Sequence, residues 1–291
     1  MFVLGHLSAC SVLWGSSFLF IKLIDGPMSP FAIAACRGIV GAVTLALWIS
    51  LIMGQKPWPS RHEFKDWLVL GTSNGWVPNV LVAYALARMD SGPAAMIQAT
   101  GPLVTAIIAH FIFADEHLTK HRVFGIMMGL VGVTLIIGPA ALQGKGSGLA
   151  ILAMVGVAMG YAFGNLYTRA IPVADPARLA LGQQVVSGSV ATGLALVFSG
   201  TASFSTVPQN LWPLLALGIV ATALPMALFM RLIRAAGPTR ASLTGYLVPA
   251  VAVTLGMVVL GEKLNLWQVL GGVIVLAGIG LVSGRAMSRK I

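Results

Sequence analysis

The sequence predicts an all-α integral membrane protein of ten transmembrane helices, folded as two inverted five-helix repeats. Three observations point there. Of the 291 residues 57% are hydrophobic and only 9% are Lys, Arg, Asp or Glu, too few charges to coat a soluble domain of this size. Those charges bound nine apolar runs, one of them long enough for two helices, which gives ten spans at or near the roughly 20 residues that a helix needs to cross a bilayer. Gly and Pro landmarks of the first half then recur in the second half, offset by 145 to 147 positions.

The spans are read from where charge is missing, because a charge at the centre of the hydrocarbon layer is costly. The first covers residues 1–21. The second holds the run 38–55 and extends back to about Pro30, which places Arg37 inside a helix. The third to sixth cover 67–87, 91–114, 123–144 and 146–168. The run 179–230 is too long for one helix. A polar break from Ser199-Gly200-Thr201-Ala202-Ser203 through Pro208-Gln209-Asn210 divides it into the seventh and eighth spans. Residues 241–261 and 264–284 form the ninth and tenth. The longest connection, about Gly54 to Asp66, is amphipathic and too short for a separate soluble domain.

Orientation follows from Lys and Arg in the connections. With the N-terminus cytoplasmic, the inner segments hold Lys56, Arg61, Lys65, Lys120, Arg122, Arg169, Arg178, Arg231, Arg234, Arg240, Arg285, Arg289 and Lys290. The outer ones hold only Lys22, Arg88, Lys145 and Lys263. The positive-inside rule therefore predicts a multi-pass protein of the bacterial cytoplasmic (inner) membrane with both termini cytoplasmic. The net charge of +10 is a topology signal that anionic lipid explains. Nucleic acid is not an expected partner, since these charges are dispersed over short loops instead of clustered on one face. Cys10 and Cys36 fall in apolar spans without metal-ligand spacing and read as small buried residues. No metal and no cofactor is expected. No basic region precedes the first span, which has a partner in the second half, so it does not read as a signal peptide.

The repeat divides the chain into residues 1–143 and 144–291. Gly15 and Phe18 return as Gly160 and Phe163, Gly92-Pro93 as Gly237-Pro238, and Gly125 with Gly132 as Gly271 with Gly278. Pro78 and Pro102 return as Pro225 and Pro249. Each of these four prolines leaves the carbonyl four residues earlier without its helical donor, namely Asn74, Gln98, Ala221 and Gly245. Lipid cannot satisfy those carbonyls. Irregular backbone at that depth is tolerated inside protein or along a wet cavity, so Pro78, Pro102, Pro225 and Pro249 are expected as kinks or hinges around a substrate path. Plain kinking for packing is the alternative.

Several residues carry a family resemblance. Trp14-Gly15-Ser16-Ser17-Phe18 in the first span, Pro30 and Arg37 in the second, Pro102 followed by Glu116 and Gly125, and Pro249 followed by Glu262 and Gly271 resemble the EamA repeat of the drug/metabolite transporter superfamily. The resemblance extends over essentially the whole chain and both repeats, and its order and spacing are more specific than any single motif. Within the superfamily the chain is most similar to YddG-type amino-acid exporters. That similarity implies a basket-shaped fold with a central cavity and export of aromatic and other neutral amino acids.

Polar and aromatic side chains at membrane depth are the candidate substrate contacts: Trp14 and Ser17, Asn74, Trp76, Asn79 and Tyr84, Gln98, Tyr161 and Asn165, and Tyr246. Ser16, Thr100, Gln183, Gln184 and Thr244 lie at similar depth. Tyr161, Asn165 and Thr168 share one helical face by their i, i+4, i+7 spacing. The pocket they suggest is neutral, with amides and hydroxyls for the charged ends of an amino acid and rings for an apolar side chain. Each of them could equally pack or hydrogen-bond between helices.

All eight carboxylates, Asp25, Glu63, Asp66, Asp90, Asp115, Glu116, Asp175 and Glu262, fall in expected loops or at helix ends. Small multidrug transporters, distant relatives within the superfamily, use a glutamate in the first helix to bind cations and protons; here Trp14, Ser16 and Ser17 stand thereabouts. Uncoupled facilitated diffusion of a net-neutral solute by alternating access is therefore expected. Proton-coupled drug transport, nucleotide-sugar transport and a non-transporting membrane scaffold remain alternatives. No helix carries a His-, Asp- or Glu-based constellation, so an enzyme is not expected. His110 and Asp115 match an H-x-x-x-x-D pattern without a companion donor site, a coincidence. Arg37 could snorkel outward, pair with an acid of an outer loop, gate the cavity or anchor the fold. Gly156, Gly160 and Gly164 predict close helix contact or a sliding surface. One chain can build a complete pocket from both repeats, so a functional monomer is expected.

Overall fold

A computed structural model describes residues 2–59, 63–114, 117–142, 148–171, 175–236 and 244–288. Among the described residues there are ten helical spans and no strand. They are α1 (Phe2–Lys22), α2 (Pro30–Leu47, continued by a π-turn Trp48–Ile52), α3 (Glu63–Leu70, π-turn Gly71–Trp76, Val77–Leu86) and α4 (Ser91–Gln98 and Gly101–Ile112). Then follow α5 (Lys120–Leu142), α6 (Gly148–Ala170), α7 (Pro176–Ser199), α8 (Leu211–Gly218, π-turn Ile219–Ala223, Leu224–Ala236), α9 (Thr244–Val259) and α10 (Leu266–Ser288). Seven of them, α1, α2 and α4 to α8, contain stretches long and apolar enough to cross a membrane; α9 and α10 carry the shorter apolar stretches Leu247–Val259 and Leu266–Val282. The span α3 carries the polar residues Thr72, Ser73 and Asn74 in its π-turn.

Local chemistry sets matching boundaries in the two halves. Pro30 and Pro176 both occupy the first turn, where a missing N–H costs nothing. Before them Ser29 accepts the Ala32 N–H at 3.2 Å, and Asp175 accepts the Ala177 N–H at 2.9 Å. Gly200, at φ +67°, ends α7 in a conformation that side chains with a Cβ resist.

In α3 and α8 the helix ladder is disturbed in the same way next to Pro78 and Pro225. The residue before each proline, Val77 or Leu224, donates its N–H five residues back, to Thr72 O and Ile219 O. One extra residue is thereby looped into each helix just where Asn74 and Ala221 lose their partners, and Gly75 leaves helical geometry altogether at φ −104°, ψ −106°. The other proline pair diverges. The span α4 breaks at Ala99-Thr100, where the Thr100 hydroxyl donates to Ile97 O at 2.7 Å, whereas α9 runs unbroken through Pro249.

Packing obeys a pseudo-two-fold relation. The equivalent pairs α2 with α7 and α5 with α10 pack against each other, while α1 lies on α8 and α9 as α6 lies on α3 and α4. The π-turn of α3 packs on α7 and α6, and that of α8 on α2 and α1. Glycine enables the closest crossings. Gly38 meets Gly188 backbone to backbone, and Gly125 and Gly132 meet Gly278 and Gly271 in the same way.

Candidate functional site

The near end of the bundle is taken as the one where α1 begins, and the far end holds the connections around residues 25, 90, 205 and 262. At the far end one apolar core draws on α1 to α4 and α6 to α9, through residues such as Phe18, Ile33, Val82, Ile97, Met154, Ala195, Leu217 and Ala252. Polar ties between the two halves close it further. Ser29 and Ser203 share a hydrogen bond of 2.6 Å, Asn210 accepts from Asp25 N at 2.8 Å and donates to Asp25 O at 2.7 Å, and the Glu262 carboxylate accepts from Ser91.

Toward the near end that single core divides. Among the described residues, Leu45, Ile49, Trp67, Leu70, Leu181 and Ala223 join α2, α3, α7 and the π-turn of α8, while Leu7 and Leu232 join α1 to α8. The far half of α4 packs on α9, but its near half packs on α6. On the near side α3 is tied to α6 and α7 by Tyr167 Oη to Asp66 Oδ1 at 2.8 Å and by Arg178 to Glu63 at 2.9 Å. Among the described residues no near-end apolar group joins α1 to α3, α4 and α6, and the opening between them is the candidate cleft.

Burial along one stripe of helix α6 falls toward the near end. Its inward stripe, at spacings of three and four residues, runs Ala150, Met154, Val157, Tyr161, Asn165, Thr168. The first three are fully buried, Tyr161 is half-buried, and Asn165 and Thr168 are exposed. The opposite face carries exposed Leu149, Leu152, Met159 and Phe163, suited to lipid. Gly156, Gly160 and Gly164 turn toward α3: a Cβ on Gly160 would stand 2.7 Å from Ser73 O, and Gly164 lies against the Asn74 amide. The predicted close contact is thus present, with α3 as its partner.

The expected site residues fall into several places. Tyr161, Asn165 and Asn74 belong to the α3–α6 wall; Asn74 Oδ1 is buried without a partner. Gln98 is half-buried at the α4 break. Trp14 packs edge to face on Phe229 of α8 at 5.1 Å, and Ser17 is buried in α1. Asn79 donates to Ser187 Oγ at 3.2 Å, between α3 and α7. Trp76 donates to Thr72 Oγ1 and packs with Ala34, Ala35 and Ala191, so it faces α2 and α7, away from α6. Tyr84 lies at the far end with the Arg88 guanidinium 3.8 Å above its ring. Tyr246 lies on α9, and its side chain is outside the described residues.

Three of the prolines are buried, Pro78 beside Gly160, Pro225 with its carbonyl 3.7 Å from Cys10 Sγ, and Pro249. Pro102 is exposed. Pro249 lines an apolar hollow of about 290 Å³ between α4, α9 and α10, with Met96, Ala99, Val253 and Gly272. That hollow is separate from the polar wall on α6.

Arg37 is the residue whose setting the sequence did not convey. It is 9% exposed, so it does not snorkel, and its Nε donates to Thr222 Oγ1 in the π-turn of α8 at 2.9 Å. Tyr161 lies within electrostatic reach. Of the two pattern residues on α4 and beyond it, His110 has its ring 6.3 Å from that of His117, and Asp115 is outside the described residues. Among the described residues no His, Cys, Asp and Glu side chains group as a metal site.

Comparison with known proteins places this architecture. The model of the EamA-like transporter family matches residues 3–138 and again 145–284. The Uncharacterized transporter YyaM of Bacillus subtilis is 28% identical over 94% of this chain and 91% of its own length. The Uncharacterized inner membrane transporter YedA of Escherichia coli K12 is 28% identical over 97% and 90%, and the Uncharacterized transporter YoaV of Bacillus subtilis 22% identical over 99% of both. A protein chain of known crystal structure shares the fold with a TM-score of 0.67 at 15% identity over 99% of each chain. With both halves matched, this multi-pass membrane protein belongs to the EamA-like transporter family.

Proposed function

We propose that this protein carries a small metabolite of the neutral amino-acid type across the cytoplasmic membrane by alternating access, in the export direction. The observation that carries the reading is the unequal closure of the bundle among the described residues: one continuous core at the far end, separate groups and a less buried α6 stripe at the near end. A pseudo-symmetric pair of halves, 1–143 and 144–291, can exchange that asymmetry by rocking about the central helix pairs. The positive-inside rule makes the near end cytoplasmic, with both termini there. The cleft is then loaded from the cytoplasm. No carboxylate of the sequence lies within an expected span, which favours uncoupled movement driven by the solute gradient. A single chain contains both halves of the path, so the working unit is a monomer, and its chemistry is transport, not catalysis.

Counterflow into liposomes containing the purified protein tests the reading. Uptake of labelled phenylalanine against an internal amino-acid pool, undiminished when the proton gradient is collapsed, is the expected result. Flux that requires a proton gradient would overturn the uncoupled mechanism, and absence of flux for every amino acid and related metabolite tried would favour a scaffold.

A further inference from the structure

We propose that Arg37 binds the carboxylate of the transported solute at the floor of the cleft. The proposal rests on the transport reading and adds the chemistry by which the ligand is recognised.

Arg37 sits in the body of α2 at the boundary where the far-end core ends: Ile33 and Ala221 belong to that core, Leu45 and Ala223 to the near-end group. A cation withdrawn from water is costly to the fold unless it is paired. Yet its one hydrogen bond among the described residues is Nε–H to Thr222 Oγ1 at 2.9 Å. Thr222 spends its own proton on Leu217 O at 2.7 Å, so its oxygen acts toward Arg37 as acceptor. This fixes the plane of the guanidinium and leaves both terminal amino groups, with four N–H donors, without an acceptor among the described residues.

No described carboxylate answers them. Glu63 pairs with Arg178, Asp66 accepts from Tyr167, Asp175 caps α7 and Glu262 caps α4, while Asp25 and Asp90 lie at the far end. Nor are the amino groups sealed away. Among the described residues the fully enclosed, unpaired polar atoms belong to other residues, Gln184 Oε1 and Asn74 Oδ1 among them, and Arg37 keeps 9% exposure, so its amino groups are not fully enclosed. Such an edge matches the two oxygens of a carboxylate in a bidentate pair. Tyr161, on the α6 stripe, lies within electrostatic reach of it. A zwitterionic amino acid would place its carboxylate on Arg37 and leave its side chain toward the apolar and aromatic walls.

The test compares L-phenylalanine with phenethylamine, which lacks only the carboxylate, and with phenyl phosphate. Ligand-induced thermal stabilisation of the purified full-length protein in detergent reads binding apart from flux. Wild type should bind L-phenylalanine at least about tenfold more tightly than phenethylamine, and R37Q should lose that preference while its phenethylamine affinity stays unchanged. R37K should retain part of it, and T222V, which keeps the charge but frees its orientation, should weaken L-phenylalanine about threefold or more. A merely structural arginine would lower affinity for both compounds alike. Retention of the preference in R37Q, equal binding of both compounds by wild type, no binding of either, or stronger binding of phenyl phosphate would each overturn the proposal. Should R37Q not fold, unchanged preference in both R37K and T222V would do the same. Intact carboxylate preference without liposome flux would refute the transport reading and leave the Arg37 assignment standing.

Discussion

Gly125 and Gly278 lie so close that a Cβ on either would stand within 2.6 Å of the other's carbonyl oxygen. Gly132 and Gly271 repeat the arrangement one heptad away on the same α5–α10 crossing. Because Gly125 is equivalent to Gly271 and Gly132 to Gly278 in the repeat, the four glycines form a self-consistent two-fold set. The crossing is one of the seams on which the two halves meet, beside that of α2 on α7.

Gly125→Ala should therefore destabilise the protein by about 1–3 kcal/mol, since backbone, not a flexible side chain, must move. Gly138→Ala on the same helix meets nothing within 4 Å and should be neutral to within about 0.5 kcal/mol. Thermal or denaturant unfolding in detergent compares them; equal effects would remove the seam from the account.

Glu262 holds the start of α4 from the second half. Asp90 stands at the N-cap of α4 without a side-chain cap bond, and Glu262 instead accepts from Ser91 N at 2.9 and 3.0 Å and from Ser91 Oγ at 2.5 Å. Glu262→Ala should cost about 1.5–3 kcal/mol, and a double mutant with Ser91→Ala should cost less than the sum. Additive losses in that cycle would mean that the two groups do not act together.

Gly160→Leu should impair transport. The side chain would have to displace Ser73 O at 2.7 Å and Pro78 Cγ at 3.2 Å, pushing α6 off the π-turn of α3. Normal expression with unaltered counterflow would show that this contact carries neither packing nor motion that matters to flux.

Much of the fold was legible because membrane insertion leaves a one-dimensional record. The gap between charges located the spans, and the break at Ser199 to Asn210 fell between α7 and α8 as expected. Pro78 and Pro225 were legible as sites of freed carbonyls. The form of relief was not, since a π-turn and a break both answer a missing N–H, and Pro102 took one course while its partner Pro249 kept a continuous helix. Site residues were less legible. Depth in the membrane, by which they were chosen, does not fix direction: residues two apart on a helix stand about 200° apart, so Trp76 faces α2 and α7 while Asn74 faces α6. Arg37 read as an isolated charge because its partner, Thr222, stands 185 positions away.

The central claim is that the α6 stripe looks into a water-filled cleft open at the near end, and cysteine accessibility tests it most directly. With Cys10 and Cys36 replaced by Ala, Asn165→Cys and Val157→Cys are treated in sealed, oriented vesicles with a charged, membrane-impermeant maleimide. The account predicts that Asn165→Cys reacts from the near side, that Val157→Cys does not, and that a transported amino acid slows the reaction. Labelling of Asn165→Cys only by lipid-soluble reagents would place that stripe in lipid and contradict the account.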